Sequence, residues 1–167
     1  MITVAYIGFG VSVREYHIPY VEGREDIRVK YVFRREEDIP AFAEFEPFYP
    51  EITFTTDLDL VLKDPEVDLV VVNTPDRFHV PYAKQILNAG KHALVEKPFA
   101  PTAAEAREVF ALAKEKGFTT LREMFMYALQ RTNEIVNSYG KIMMIWNADL
   151  RHGYLPDWLD RNILVHY

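Results

Sequence analysis

The sequence predicts an α/β protein: a doubly wound parallel sheet, followed by the first elements of a truncated α+β second domain. Three observations predict it. Residues 2–7 form an apolar run that enters a glycine-rich turn, Gly8-Phe9-Gly10. Residues 68–72 (Asp-Leu-Val-Val-Val) are the β-branched run that a strand buried on both faces requires. Strand and helix signals then alternate through the first two-thirds of the chain. That β-α-β-α order selects right-handed crossovers onto a parallel sheet.

Each element has its own signal. Residues 2–7 are the first strand, and a helix is expected from Val13 to Val21. Residues 27–33 are the second strand. Residues 36–50, rich in Phe, Glu and Pro, read as a partly irregular crossover. Its Phe42, Phe45, Phe48 and Tyr49 are expected to pack locally. A short third strand covers 52–55, and Asp57 is placed to cap a short helix over 57–63. Residues 68–72 are the fourth strand. Residues 81–89 continue a helix that Gly90 ends. Residues 92–95 are the fifth strand. Thr102 and Glu105 form a capping box for a helix over 102–116. Ala106, Val109, Phe110 and Ala113 fall at helical spacing in it, and Gly117 closes it. Residues 118–121 read as a sixth strand, 124–138 as a connecting helix and 142–150 as the first strand of a second domain. The domains expected are 1–121 and 122–167.

Composition bounds the function. The chain of 167 residues is 49% hydrophobic and 26% charged, which suits a globular protein with a substantial core. A net charge of -6 argues against nucleic-acid binding. There is no cysteine, which removes disulfides and thiolate chemistry. His17, His92, His152 and His166 lack metal-ligand spacing. No apolar run reaches membrane-spanning length, and no export signal precedes the first strand, so a cytoplasmic protein is expected.

Ligands of such sheets bind at the carboxyl ends of the strands. Strand one ends at Gly8-Phe9-Gly10, strand two at Phe33-Arg34-Arg35, strand four at Asn73-Thr74-Pro75-Asp76 and strand five at Glu96-Lys97-Pro98. Gly8 permits a tight turn, and Gly10 lets the backbone approach a pyrophosphate. The third glycine of the usual motif is replaced by Val13. An NAD site carries an acid about 20 residues beyond these glycines. Here Arg34 and Arg35 stand instead, and a guanidinium can grip a 2′-phosphate. This favours NADP, with NAD the alternative. The competing reading is that both arginines are solvated and pair with Glu36 and Glu37.

Together, Gly8-x-Gly10, Asn73-Thr74-Pro75-x-x-x-His79 and Gly90-Lys91-His92-x-x-x-Glu96-Lys97-Pro98 resemble the Gfo/Idh/MocA family of NAD(P)-dependent oxidoreductases. The resemblance covers residues 1–121 well and extends loosely to 150. It implies that Gly8 and Gly10 face the pyrophosphate, with Phe9, Val11 and Ser12 beside it. It implies that Asn73, Thr74 and Pro75 line the nicotinamide side and that His79 lies near the cofactor edge. Glu96 would contact the ribose–nicotinamide end. Lys97 would be catalytic, orienting a substrate hydroxyl and helping its proton leave. Pro98 would follow a cis peptide bond. Val13 and Asp76 depart from the family pattern.

The function implied is hydride transfer between NADP(H) and a small sugar- or polyol-like hydroxyl or carbonyl substrate. Family members are roughly twice as long, and their second domain completes the cleft. This chain is therefore expected to supply the cofactor-binding part, with turnover weak or absent. The alternatives are a non-catalytic nucleotide-binding module or an inactive truncated product. A third arrangement would complete the cleft with a second copy, pairing strands 142–150 between protomers.

Overall fold

The computed structural model describes residues 1–117, 121–146 and 163–166. The chain divides into two compact units, residues 1–117 and 118–167.

In the first unit five strands form one parallel sheet: β1 (Ile2–Ile7), β2 (Ile27–Phe33), β3 (Thr53–Thr55), β4 (Leu69–Val72) and β5 (His92–Val95). Their spatial order is β3-β2-β1-β4-β5. The chain therefore winds outward from β1 in one direction and then crosses to its other side. That reversal makes the gap between β1 and β4 the topological switch point, where such sheets bind ligands.

Alternation along the strands sends successive side chains to opposite faces. Ala5, Ile7, Tyr31, Phe33, Val70 and Val72 face one layer. There they meet Val61 of α3 (Leu58–Lys63) and Ile86 of α4 (His79–Asn88). Val4, Tyr6, Val32 and Val71 face the other layer, with Phe9, Val13 and Ile18. The crossover after β2 closes this second layer. It contains a 3-10 turn at Glu36–Asp38, the short α2 (Ile39–Phe42) and a second 3-10 turn at Glu46–Phe48. Phe42, Phe45 and Tyr49 pack against the core as expected, whereas Phe48 is 75% exposed.

The helix ends obey their sequence signals. The Asp57 carboxylate accepts the N–H of Asp59 at 2.9 Å and of Leu60 at 3.3 Å. The Thr102 hydroxyl caps α5 (Ala103–Glu115), accepting the Glu105 N–H at 3.2 Å and donating to its carboxylate at 2.7 Å. Gly90 ends α4 with φ at +74°. One apolar position of α5 departs from expectation: Phe110 is 41% exposed and stacks on Phe99, 5.2 Å between centroids.

The expected helix over 13–21 is replaced by two pieces. Ser12–His17 is a π-helical turn, and only α1 (Ile18–Val21) is α-helical. The Ile18 N–H reaches back five residues to the Val13 carbonyl, which defines the wider turn. Val13 is fully buried in the layer beside Phe9, so the β-branched side chain occupies core where the usual motif has glycine.

In the second unit α6 (Leu121–Ser138) begins earlier than the expected 124–138. Leu121 is therefore helical, and residues 118–120 of the expected sixth strand lie outside the described residues. Gly140, with φ at +67°, ends α6. Of the expected strand 142–150, β6 (Met144–Trp146) is seen and residues 147–150 lie outside the described residues. β6 pairs in parallel with β7 (Leu164–His166), so one of its edges is occupied within the chain rather than free for another protomer.

Candidate functional site

The carboxyl edge is built by backbone ties between the strand ends. The Gly8 N–H donates to the Phe33 carbonyl at 2.9 Å, and the Asn73 N–H donates to Ile7 at 2.9 Å. The Glu96 N–H donates to Val72 at 3.0 Å, and the Arg34 N–H to Thr55 at 3.0 Å. The loops carrying the candidate residues thus leave from one hydrogen-bonded edge.

Gly8 is held there by two constraints. Its φ is +101°, a region that L side chains rarely adopt. A Cβ would also lie 2.9 Å from the Asn73 carbonyl oxygen. Gly10 differs: a Cβ there would meet nothing within 4 Å. It faces open space, which is what a backbone cradle for a phosphate requires. Val11 beside it is 57% exposed, whereas Phe9 is 1% exposed. The Phe9 ring packs edge-on against Phe54 at 4.9 Å and Tyr49 at 5.6 Å, so only its backbone faces the turn.

Four side chains converge behind this turn, two from the π-helical turn and one each from the ends of β4 and β5. The His17 Nε2 lies 2.8 Å from Glu96 Oε1, and the Ser12 hydroxyl donates to the same oxygen at 3.2 Å. The Lys97 backbone N–H donates to Glu96 Oε2 at 3.0 Å. The Asn73 amide lies 3.3 Å from Ser12 Oγ and 3.0 Å from His17 Nε2. The His17 hydrogen bond is the main cause that holds the Glu96 carboxyl below its ordinary range. A carboxylate only accepts, so His17 Nε2 carries the proton, and the Asn73 amide faces it with its oxygen. Thr74 Oγ1 is left buried without a hydrogen-bond partner. Buried polar atoms are ordinarily paired, and this one stands at the switch point.

The structure places the other candidates differently. His79 is 1% exposed, with Nε2 2.7 Å from the Thr74 carbonyl and Nδ1 2.8 Å from the Pro98 carbonyl. Its ring joins two loops of the site and presents no free nitrogen to a cofactor. The Lys97–Pro98 bond is cis, as the resemblance implied. The Lys97 side chain is exposed, and its contact to Glu96 runs through the backbone N–H rather than the ammonium. Asp76, at a 3-10 turn (Asp76–Phe78), accepts the Arg77 N–H at 2.8 Å.

Both arginines after β2 are paired, but not with the expected Glu36. Arg34 donates to Glu46 at 2.5 Å and lies over the Phe54 ring, its side chain 11% exposed. Arg35 makes a two-pronged contact to Asp38, 2.9 Å at each prong, and a further 2.9 Å contact to Glu37. The turn at 36–38 brings Asp38 rather than Glu36 onto the guanidinium, and the crossover brings Glu46 back over β2.

Sequence reasoning missed His17. Its signal was only the motif Tyr16-His17-x-Pro19, because Glu96 lies 79 residues further along the chain. Two surface hollows, one around Ile18, Ile27 and Ile52 and one around Tyr31, Asp57 and Asp64, contain none of the candidate residues. No group of three or more His, Cys, Asp or Glu among the described residues could hold a metal ion. No helix among them is long and apolar enough to cross a membrane.

A parallel sheet of this order, with a glycine turn at its switch point, defines a Rossmann-type nucleotide-binding protein. Residues 2–123 match the Gfo/Idh/MocA family model, described as an oxidoreductase family with an NAD-binding Rossmann fold, and the chain belongs to that family. It is 53% identical over 120 residues to the uncharacterized oxidoreductase YhhX of Escherichia coli, covering 71% of this chain and 34% of that protein. It is 28% identical over 116 residues to scyllo-inositol 2-dehydrogenase (NADP+) IolW of Bacillus subtilis, covering 70% of this chain and 31% of that protein. The crystal structure of a probable oxidoreductase YhhX superposes with a TM-score of 0.63 at 43% identity, covering 88% of this chain and 44% of that one. The chain spans about a third of the length of the curated relatives it matches.

Proposed function

We propose that this chain forms the dinucleotide-binding part of an oxidoreductase that transfers hydride between NADP(H) and a hydroxyl or carbonyl carbon of a sugar- or polyol-like substrate. One observation carries the reading. The glycine turn stands at the switch point beside the buried, unpartnered Thr74 Oγ1, where Gly8 meets Asn73 and a Cβ on Gly10 would meet nothing within 4 Å. The residues present therefore fit a dinucleotide. The turn from Gly8 to Ser12 would hold the pyrophosphate through backbone N–H groups. Asn73, Thr74 and Pro75 would hold the nicotinamide half, with Glu96 and Pro98 beside it.

A bound nicotinamide supplies or accepts the hydride. The chain's own contribution is to hold and move a proton. Lys97 has an exposed side chain at this edge. It would orient the substrate hydroxyl and help its proton leave during oxidation, the reverse holding for reduction.

The preference for NADP rests on Arg34 and Arg35, and IolW, the NADP+-linked inositol dehydrogenase, supports the same reading. The two arginines divide the work. Arg34 is largely enclosed between Glu46 and Phe54 and shapes the wall. Arg35 and Asp38 are 29% and 31% exposed, so a ligand can reach the guanidinium from solvent. A 2′-phosphate offers Arg35 the same two-pronged geometry that Asp38 occupies.

Titration of the chain with NADPH and with NADH, monitored by nicotinamide fluorescence, tests the reading. Saturable binding with NADPH preferred supports it. Absence of saturable binding by either dinucleotide refutes it.

A further inference from the structure

We propose that His17 is a positioning residue of the dinucleotide site: the N–H of its ring fixes the Glu96 carboxylate toward the groove. This rests on the dinucleotide-binding reading and extends it to a residue outside the glycine turn and the β-strand ends.

The geometry begins with the backbone. An α-helical start after Gly10 would advance by 3.6 residues per turn. The π-helical turn at Ser12–His17 adds one residue to that spacing, rotating the side chains after it by about 100° relative to a regular helix. Such turns recur at functional sites. The turn places both Ser12 and His17 on the same oxygen of Glu96. The Glu96 backbone is tied to β4, so its side-chain torsions are the freedom that remains. Ser12, His17 and the Lys97 N–H together fix them.

The groups around the ring come from three other elements. Glu96, just after β5, is held as a carboxylate. Asn73, just after β4, lies 3.0 Å from the same ring nitrogen. From β1 comes Tyr6, edge-on at 5.6 Å. His17 Nε2 is the nearest partner of Glu96, at 2.8 Å against 3.2 Å for Ser12 and 3.0 Å for the Lys97 N–H. Without it the carboxylate keeps two weaker ties, and its side chain gains freedom to turn away from the groove.

The test compares the full parent chain with His17→Phe and His17→Gln, titrating NADH and NADPH at one neutral pH. Far-UV circular dichroism establishes that each variant folds. His17→Phe removes the donor and is expected to bind about tenfold more weakly. His17→Gln keeps an N–H donor and is expected to recover affinity to within about threefold of the parent. Parental affinity in His17→Phe, or an equal loss in both folded variants, overturns the proposal. If His17→Phe does not fold, His17→Ala takes its place in the same comparison. A parent that binds neither dinucleotide refutes the underlying reading instead, and is recognised before any variant is compared.

Discussion

Gly8 and Asn73 meet so closely that a Cβ on Gly8 would stand 2.9 Å from the Asn73 carbonyl oxygen. The glycine turn and the end of β4 are therefore one packed joint. Gly10, two residues on, touches nothing on its open side. The two glycines should separate folding from binding. Gly8→Ala combines a positive φ with a backbone clash and should destabilise the fold by about 2–4 kcal/mol in urea unfolding. Gly10→Ala should unfold like the parent but weaken NADPH binding about tenfold or more.

Thr74 offers a second separation. Its hydroxyl is buried without a partner. Thr74→Val removes that atom at nearly constant shape. The free protein should be as stable as the parent within about 0.5 kcal/mol, or more stable. Dinucleotide affinity, measured by fluorescence titration, should nevertheless fall about tenfold.

Arg35 and Asp38 set up a competition between a carboxylate and a phosphate for one guanidinium. Arg35→Ala should lower the ratio of NADPH to NADH affinity about tenfold. Asp38→Ala should raise it about two- to threefold, because Arg35 no longer leaves a partner. Equal ratios in the parent and both variants would remove Arg35 from the account of specificity.

At the opposite end of the sheet, Asp64 is held near pKa 2, chiefly by Lys30 at 2.6 Å. Its ordinary value is 3.8. A depressed carboxyl stabilises the fold fully above its unfolded value, and that contribution is lost as pH falls through the folded one. Thermal midpoints should therefore drop between about pH 4 and pH 2. Asp64→Asn should lower the neutral-pH midpoint by about 3 °C and flatten that acid limb.

Much of the fold was legible because its signals are local. The β-branched run of β4, the Asp57 and Thr102 caps and the glycine at position 90 each act within a few residues. The strand ends of the site could be read for the same reason, since each closes an apolar run. What the residues alone did not show depends on long-range contact. His17 finds Glu96 only after the four strands β2 to β5 have been laid down between them. Arg34 finds Glu46 only because the crossover folds back over β2. The wide turn at 12–17 was hidden as well. Val13 reads as an ordinary helix former until the core layer that it fills is in place.

The ring of His79 lies within hydrogen-bond reach of two carbonyls, those of Thr74 and Pro98. Both are acceptors, and a neutral imidazole has one N–H, so it serves one of them at a time. Two loops that leave different strands of the edge thus share a single internal donor, and the tautomer of one buried ring decides which of them it holds.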